Sequence, residues 1–353
     1  MMKYFLTLEE LSKHRRVFMG ISIVCIMLCH NTLSVPQSLE TVRKVLSSAL
    51  QCGVDAFMLL SGLGLVYSFR RNSNIKDFWK KRSTKILPPY LIVITLYGVA
   101  YVGLGKGEAL SEYIWKGSLI SFFWEGELRF WFIAAILALY AVFPMLYKVM
   151  QKNPKVLMAA TFGVVLISLG IPFLRCSPTI QILNEIFFSR IPAFFVGMII
   201  AKGLLDQKTP KISSVPVWLV WTVTFLLILW HLAFGTRNVW VRVRLLFLPF
   251  TLSGMLLLGE SMKNCGKNNF FFSIFSFLGG ITLELYLLHE RVLTILSFLW
   301  KRFLPALNFP ASVSSLIVNI LAILLSVLGA WMLQKTVCLI HGMLQKTAGK
   351  QCV

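Results

Sequence analysis

Ten apolar runs of roughly 17 to 25 residues divide this chain, at about 17–35, 51–69, 87–105, 130–147, 156–174, 186–203, 216–234, 244–260, 270–289 and 312–334. About 20 such residues wound as an α-helix cross the ~30 Å hydrocarbon core of a bilayer, where an unwound backbone finds no water to hydrogen-bond. The runs therefore predict an all-α fold, a polytopic membrane bundle of about ten transmembrane helices. With 57% hydrophobic and 14% charged residues and a mean hydropathy of +0.75, the chain has too little polar surface for a water-soluble globule. No polar stretch is long enough for a soluble domain. The expected organisation is a cytoplasmic segment at 1–16, one transmembrane domain over 17–334 and a short cytoplasmic tail at 335–353.

The net charge of +21 does not point to nucleic acid, because the basic residues are spread over short connections and form no stripe on a soluble face. Alternate connections share them unequally: 22 of the 35 Lys and Arg fall in the set that contains the N-terminus. By the positive-inside rule both termini are expected in the cytoplasm of a bacterial inner or plasma membrane. The first apolar run is long, has no small-residue cleavage site close behind it, and reads as a signal anchor. Residues 36–50, with Leu39, Val42, Leu46, Ala49 and Leu50 at helical spacing, and residues 112–124 are expected to lie on the outer interface. The apolar part of 290–306 is too short to span.

Ionisable residues at membrane depth are functional candidates by default. His30 lies fourteen residues beyond the basic foot His14-Arg15-Arg16, about 21 Å along a helix. A neutral imidazole there can act as general base toward a hydroxyl, or can simply hydrogen-bond to a neighbouring helix. In Asp77-Phe-Trp-Lys-Lys-Arg-Ser-Thr-Lys-Ile-Leu-Pro-Pro-Tyr90, helical spacing places Arg82 and Lys85 on one face as a two-cation clamp suited to phosphate. An ordinary positive-inside loop is the plainer reading of the same run. The prolines are expected in the first turn of the third span. Glu125, Glu127 and Arg129 crowd the outer mouth before Trp131, and Arg190 opens the sixth span, where it can neutralise an acidic sugar or anchor at headgroups. His289, expected at the end of the ninth span, reads as interfacial. Cys25 and Cys29 flank one turn beside His30, but no second cluster completes a ligand set, so no metal is expected.

Six stretches occur together in order: His30 ending the first helix; Gly53-Val-Asp-Ala-Phe-Met-Leu-Leu-Ser-Gly62; Arg82-Ser-Thr-Lys-Ile-Leu-Pro88; Trp131-Phe-Ile with Tyr140 and Pro144; Arg190-Ile-Pro-Ala-Phe-Phe-Val-Gly197; and Leu285-Tyr-Leu-Leu-His289. In this the chain resembles the acyltransferase 3 family of membrane acyltransferases over nearly its whole length. The resemblance implies transfer of an acyl group, most often acetyl, from cytoplasmic acyl-CoA to a hydroxyl of a surface polysaccharide or a lipid-linked glycan. It implies His30 as the catalytic residue, with Asp55 serving or organising the site. Arg82 and Lys85 correspond to the family's Arg-x-x-Arg pair for acyl-CoA, although Lys85 lacks the bidentate fork of arginine. Many members carry Arg immediately before the first-helix glycine; here Met19 stands there, with Arg15 and Arg16 a turn earlier as the expected donor-binding cations. Trp131, Arg190 and Glu127 are the expected acceptor-binding residues.

The expected partners are then acyl-CoA as donor substrate, a glycan or lipid-linked glycan, the bilayer, and polysaccharide-assembly proteins, with no resident cofactor and no nucleic acid. A transporter or flippase of a glycan-linked lipid, or an accessory scaffold in polysaccharide assembly, would use the same intramembrane polar residues. Consumption of acyl-CoA separates the first reading from these two.

Overall fold

The computed structural model describes residues 5–103, 110–208, 212–235, 239–263, 269–303 and 309–347. Sixteen α-helices account for nearly all of them. The chain enters through α1 (Glu9–Lys13), α2 (Arg15–Cys29), α3 (Gln37–Ala49), α4 (Cys52–Arg71) and α5 (Ile75–Gly103). Two short helices, α6 (Leu110–Gly117) and α7 (Leu119–Glu125), precede α8 (Trp131–Lys152), α9 (Pro154–Gly170), α10 (Pro178–Ile186) and α11 (Ile191–Leu205). The rest are α12 (Ser214–Phe234), α13 (Val239–Lys263), α14 (Phe270–Gly280), α15 (Thr282–Phe303) and α16 (Ala311–Thr347). One antiparallel ladder, Phe5–Leu6 against Ile212–Ser213, ties the N-terminal segment to the connection before α12. Among the described residues, eight helical stretches are long and apolar enough to cross a membrane, or nine if the bent pair α14 and α15 counts as one. The protein is a polytopic helical membrane protein.

Among the described residues, two of the ten expected spans are not single long helices, each for a physical reason. Helix α2 stops at Cys29 after 15 residues, about 22 Å at 1.5 Å per residue. There the polar run that follows leaves helical register: Asn31 Nδ2 donates to the Leu28 carbonyl (2.5 Å) and to Ser47 Oγ (3.0 Å), and the Thr32 N–H donates to Asn319 Oδ1 (3.1 Å). The run at 270–289 is not one helix either, because α14 and α15 meet at 82° around Ile281. A Cβ at Gly279 would overlap the Arg16 carbonyl oxygen, so α14 can approach α2 only as glycine. Gln334 Nε2 donates to the Gly280 carbonyl (2.7 Å), satisfying an acceptor that the break leaves without a helical partner. The helix that follows then runs on to Phe303 and takes in most of 290–306. At the far end α16 continues without a break through residue 334 to Thr347.

Pro88 and Pro89 also lie elsewhere than expected. Helix α5 starts at Ile75, so the prolines fall in its interior, and the carbonyls of Thr84 and Lys85 lose their i+4 donors. Helix α3 carries Leu39, Val42 and Leu46 outward, each more than half exposed, as an interfacial helix would.

Helix α4 is apolar on all sides and buried along most of its length, which makes it the central helix of the bundle. Its close approach to α11 depends on two glycines of the recurring motifs. A Cβ on Gly62 would overlap the Phe194 carbonyl oxygen, and one on Gly197 would overlap that of Leu59. Small residues let helices touch backbone to backbone, where packing rather than water exclusion drives association in lipid. Gly197→Ala should therefore destabilise the protein by about 1–3 kcal/mol through overpacking. Gly163→Ala, on α9 with nothing within 4 Å of the added carbon, should leave the melting temperature in detergent unchanged. Equal melting of the two variants would refute the close-packing account.

Candidate active site

His30 caps the C-terminal end of α2 and meets α15. Its Nδ1 is 2.8 Å from Glu290 Oε1, and the other Glu290 oxygen accepts from the Arg291 guanidinium. Arg291 in turn donates to the Arg129 carbonyl and lies over the Phe130 ring at 4.4 Å, so the carboxylate that faces His30 is itself held. His30 and Glu290 open onto a cavity of about 670 Å³ that is also lined by Thr32, Glu127, Arg129 and Arg291. The Glu127 carboxylate accepts from the Arg129 N–H (3.0 Å), shaping the loop at the cavity mouth.

His289 is not interfacial. Because the chain bends at Ile281 and α15 starts afresh at Thr282, His289 falls well inside that helix and is only 5% exposed. Its ring stands edge-on to His30, with centroids 5.2 Å apart. Nδ1 lies 2.9 Å from the Tyr286 carbonyl and 3.0 Å from that of Leu285, contacts that require a proton on Nδ1. Nε2 then carries a lone pair, is buried, and has no hydrogen-bond partner.

The basic residues gather at the other end of α2. Arg15, Arg82 and Lys85 line a second, narrow cavity of about 100 Å³ together with Ser61, Tyr140 and Tyr286. The helical conformation of α5 places Arg82 and Lys85 on one face, as their spacing predicts. Arg15 Nε donates to the Leu60 carbonyl (2.9 Å), a contact permitted by Gly64, against which the guanidinium rests. Arg82 Nη2 donates to Ser68 Oγ (3.0 Å), and its guanidinium lies 5.6 Å from the Phe78 ring and 5.8 Å from that of Tyr140. Arg82 Nε is buried without a partner, a donor still to be satisfied. Arg16 is not brought to this cavity; its guanidinium packs against Gly280 beside the helix break. Phe132 and Tyr286 stand between the two cavities. Both line the basic one, the Phe132 N–H donates to Tyr286 Oη (3.3 Å), and the Tyr286 ring lies 6.0 Å from that of His289.

Asp55, Arg190 and Trp131 form a third, separate group. Gly53 seats the start of α4 against Ser22, Cys25 and Ile26, so Asp55 lies beside the histidine-bearing helix, yet its carboxylate turns to Arg190, with Oδ2 3.4 Å from Nε. Arg190 also donates from Nη1 to the Ile186 carbonyl (2.7 Å) and lies over the Trp131 ring at 5.2 Å. Both charged residues are 1–2% exposed, so Arg190 is not a headgroup anchor. The turn of 3-10 helix at Phe188–Arg190, followed by Pro192, folds it inward. Of the three expected acceptor residues, only Glu127 lines the His30 cavity.

Glu290 and Arg291 were missed from sequence. Adjacent opposite charges in an apolar region were the available signal, and they directly follow His289 in the last recurring stretch.

A family model described as an acyltransferase domain matches residues 18–335. The chain belongs to the acyltransferase 3 family. Acyltransferase MdmB from Streptomyces mycarofaciens is 23% identical over 213 residues, which is 53% of this chain and 55% of that protein. The chain thus spans about half the length of this curated relative. No solved structure matches. The matched region of this acyltransferase 3 protein runs from Phe18 on α2 to Lys335 on α16 and so contains His30, the Glu290 pair, Arg82 and Lys85, with Arg15 and Arg16 just before it.

Proposed function

We propose that this acyltransferase 3 protein is an O-acyltransferase that moves an acyl group such as acetyl from acyl-CoA to a hydroxyl of a surface polysaccharide or its lipid-linked precursor. The observation that carries the reading is the placement of two unlike sites at opposite ends of α2: a histidine held by a carboxylate on a roomy cavity that also presents Glu127, Arg129 and Arg291, and a cation cluster on a narrow one. In this reading the CoA phosphates stay at Arg15, Arg82 and Lys85, and the pantetheine arm reaches past Phe132 and Tyr286 toward His30. Glu290 accepts the His30 Nδ1 proton and so leaves Nε2 as the base. Nε2 takes the proton of the acceptor hydroxyl as its oxygen attacks the thioester carbonyl. Collapse of the tetrahedral adduct breaks the carbon–sulfur bond, and the departing CoA thiolate recovers the proton from the imidazolium that Glu290 stabilises.

The donor side is assigned to the cytoplasm because the β-ladder and the shared basic cavity gather residues 5–15, 82–85 and 212–213, members of the more basic set of connections, at one end. An apolar groove of about 730 Å³ between α5 and α6 favours a lipid-linked acceptor. Tyr113, on its wall, lies 6.2 Å from Tyr97, which lines the His30 cavity, so hydrocarbon and glycan have adjacent places.

Removal of charge at Arg82 or Lys85 should weaken acyl-CoA binding by roughly 10- to 150-fold, because a charge-assisted hydrogen bond contributes about 1.5–3 kcal/mol. Lys85→Arg should bind as well or better. Direct acyl-CoA titration of the detergent-solubilised protein reads both. Unchanged affinity in the double variant Arg82→Ala, Lys85→Ala would return the run to an orientation signal and leave the donor without a site.

A further inference from the structure

We propose that His30, His289 and Glu290 form a binding site for one divalent transition-metal ion of the zinc class, and that filling it silences His30 as a base. One ring nitrogen from each histidine and one Glu290 carboxylate oxygen all lie within 4.8 Å of one another. Donors 2.0–2.1 Å from a tetrahedral zinc ion sit about 3.3 Å apart, so the three side chains need move only on the order of 1 Å to close on an ion. Two neutral imidazoles and a carboxylate are a donor set for such ions, whereas hard cations such as magnesium prefer oxygen alone.

The independent observation is His289. It is 5% exposed, and its Nδ1–H is spent on the Leu285 and Tyr286 carbonyls, the arrangement that fixes the tautomer of a metal-binding histidine and directs the other nitrogen to the ion. That other nitrogen, Nε2, is buried with no partner, whereas both oxygens of the neighbouring Glu290 carboxylate are engaged, by His30 and by Arg291. A buried lone pair of this kind is costly unless something meets it. Glu290 already bridges His30 and Arg291, so the ion would take the place of the proton between His30 and Glu290 while Arg291 keeps the second carboxylate oxygen. Three protein ligands leave at least one position open to the 670 Å³ cavity. Sequence proximity would instead pair His30 with Cys25 and Cys29, but neither cysteine belongs to this group.

The site rests on geometry alone; only the silencing rests on the acyl-transfer reading. The test is titration of the EDTA-stripped, full-length protein in detergent with zinc against a fluorescent zinc chelator. One zinc per chain is expected, with affinity at least about 10-fold weaker in His289→Ala and, as a second variant should the first fail to fold, in Glu290→Gln. The Cys25→Ser, Cys29→Ser double variant should bind as wild type. No binding by the wild type, equal affinity in both ligand variants, or loss of binding in the cysteine variant would each overturn the site. Zinc binding by a protein whose EDTA-stripped form shows no acyl transfer would support the site and refute the enzymatic reading, whereas acyl transfer undiminished by one bound zinc would overturn the silencing.

Discussion

Replacing His30 by alanine should reduce acyl transfer by at least ~10²-fold while the protein still inserts, purifies and binds acyl-CoA, because a positioned general base contributes about that much or more. The location of His30 explains why folding should survive. Its side chain is 43% exposed at the end of α2, and its partner Glu290 retains Arg291 when the imidazole is gone. Glu290→Gln should lose about 10-fold or more, because the amide can no longer hold the Nδ1–H tautomer or stabilise the imidazolium. Parallel assays of turnover and of acyl-CoA binding separate the effects. If His30→Ala turns over like wild type, the mechanism is wrong; if it fails to accumulate, the histidine is structural.

The opposite pattern is expected at Asp55. Truncating it to alanine takes away the carboxylate in contact with the Arg190 guanidinium, which stays buried at 2% exposure with only the more distant Glu185, itself held by Arg244, acting on it, a loss of about 3–5 kcal/mol. Asp55→Ala should therefore melt far lower in detergent or fail to accumulate, and Arg190→Leu should do likewise by stranding the carboxylate. The double variant Asp55→Ala, Arg190→Leu should regain part of the loss, since an apolar pair in place of a buried ion pair is frequently tolerated. The carboxylate reaches the active end of α2 through packing of α4 and not through a bond to His30. An Asp55→Ala protein of undiminished thermal stability but abolished turnover would instead make Asp55 a participant in the chemistry.

These two sites show what one chain can and cannot disclose. His30 and the Arg82–Lys85 face were legible because each depends on local spacing: a ring at a calculable height on one helix, and two cations three residues apart on another. The ion pair of Asp55 with Arg190 joins residues 135 positions apart, and no periodicity reports it. Glu290 was illegible for a related reason. Hydropathy falls at Glu290-Arg291, which places a helix end at His289, whereas the break is made by Gly279 and Gly280 nestling against Arg16 and α15 runs through the charged pair. The same misplaced boundary turned His289 into an interfacial residue. The short first helix was hidden likewise, since Asn31 and Thr32 end it through hydrogen bonds to Ser47 and Asn319 that only the folded bundle supplies.

The most direct test of the account is transfer of radiolabel from acyl-labelled acyl-CoA by the purified protein, with the membrane glycans of its own host as acceptors. Wild type is expected to consume the thioester and deposit label as an alkali-labile ester on glycan, and His30→Ala is expected to bind the donor and deposit none. Intact thioester with wild-type protein, or equal labelling by wild type and His30→Ala, would contradict it.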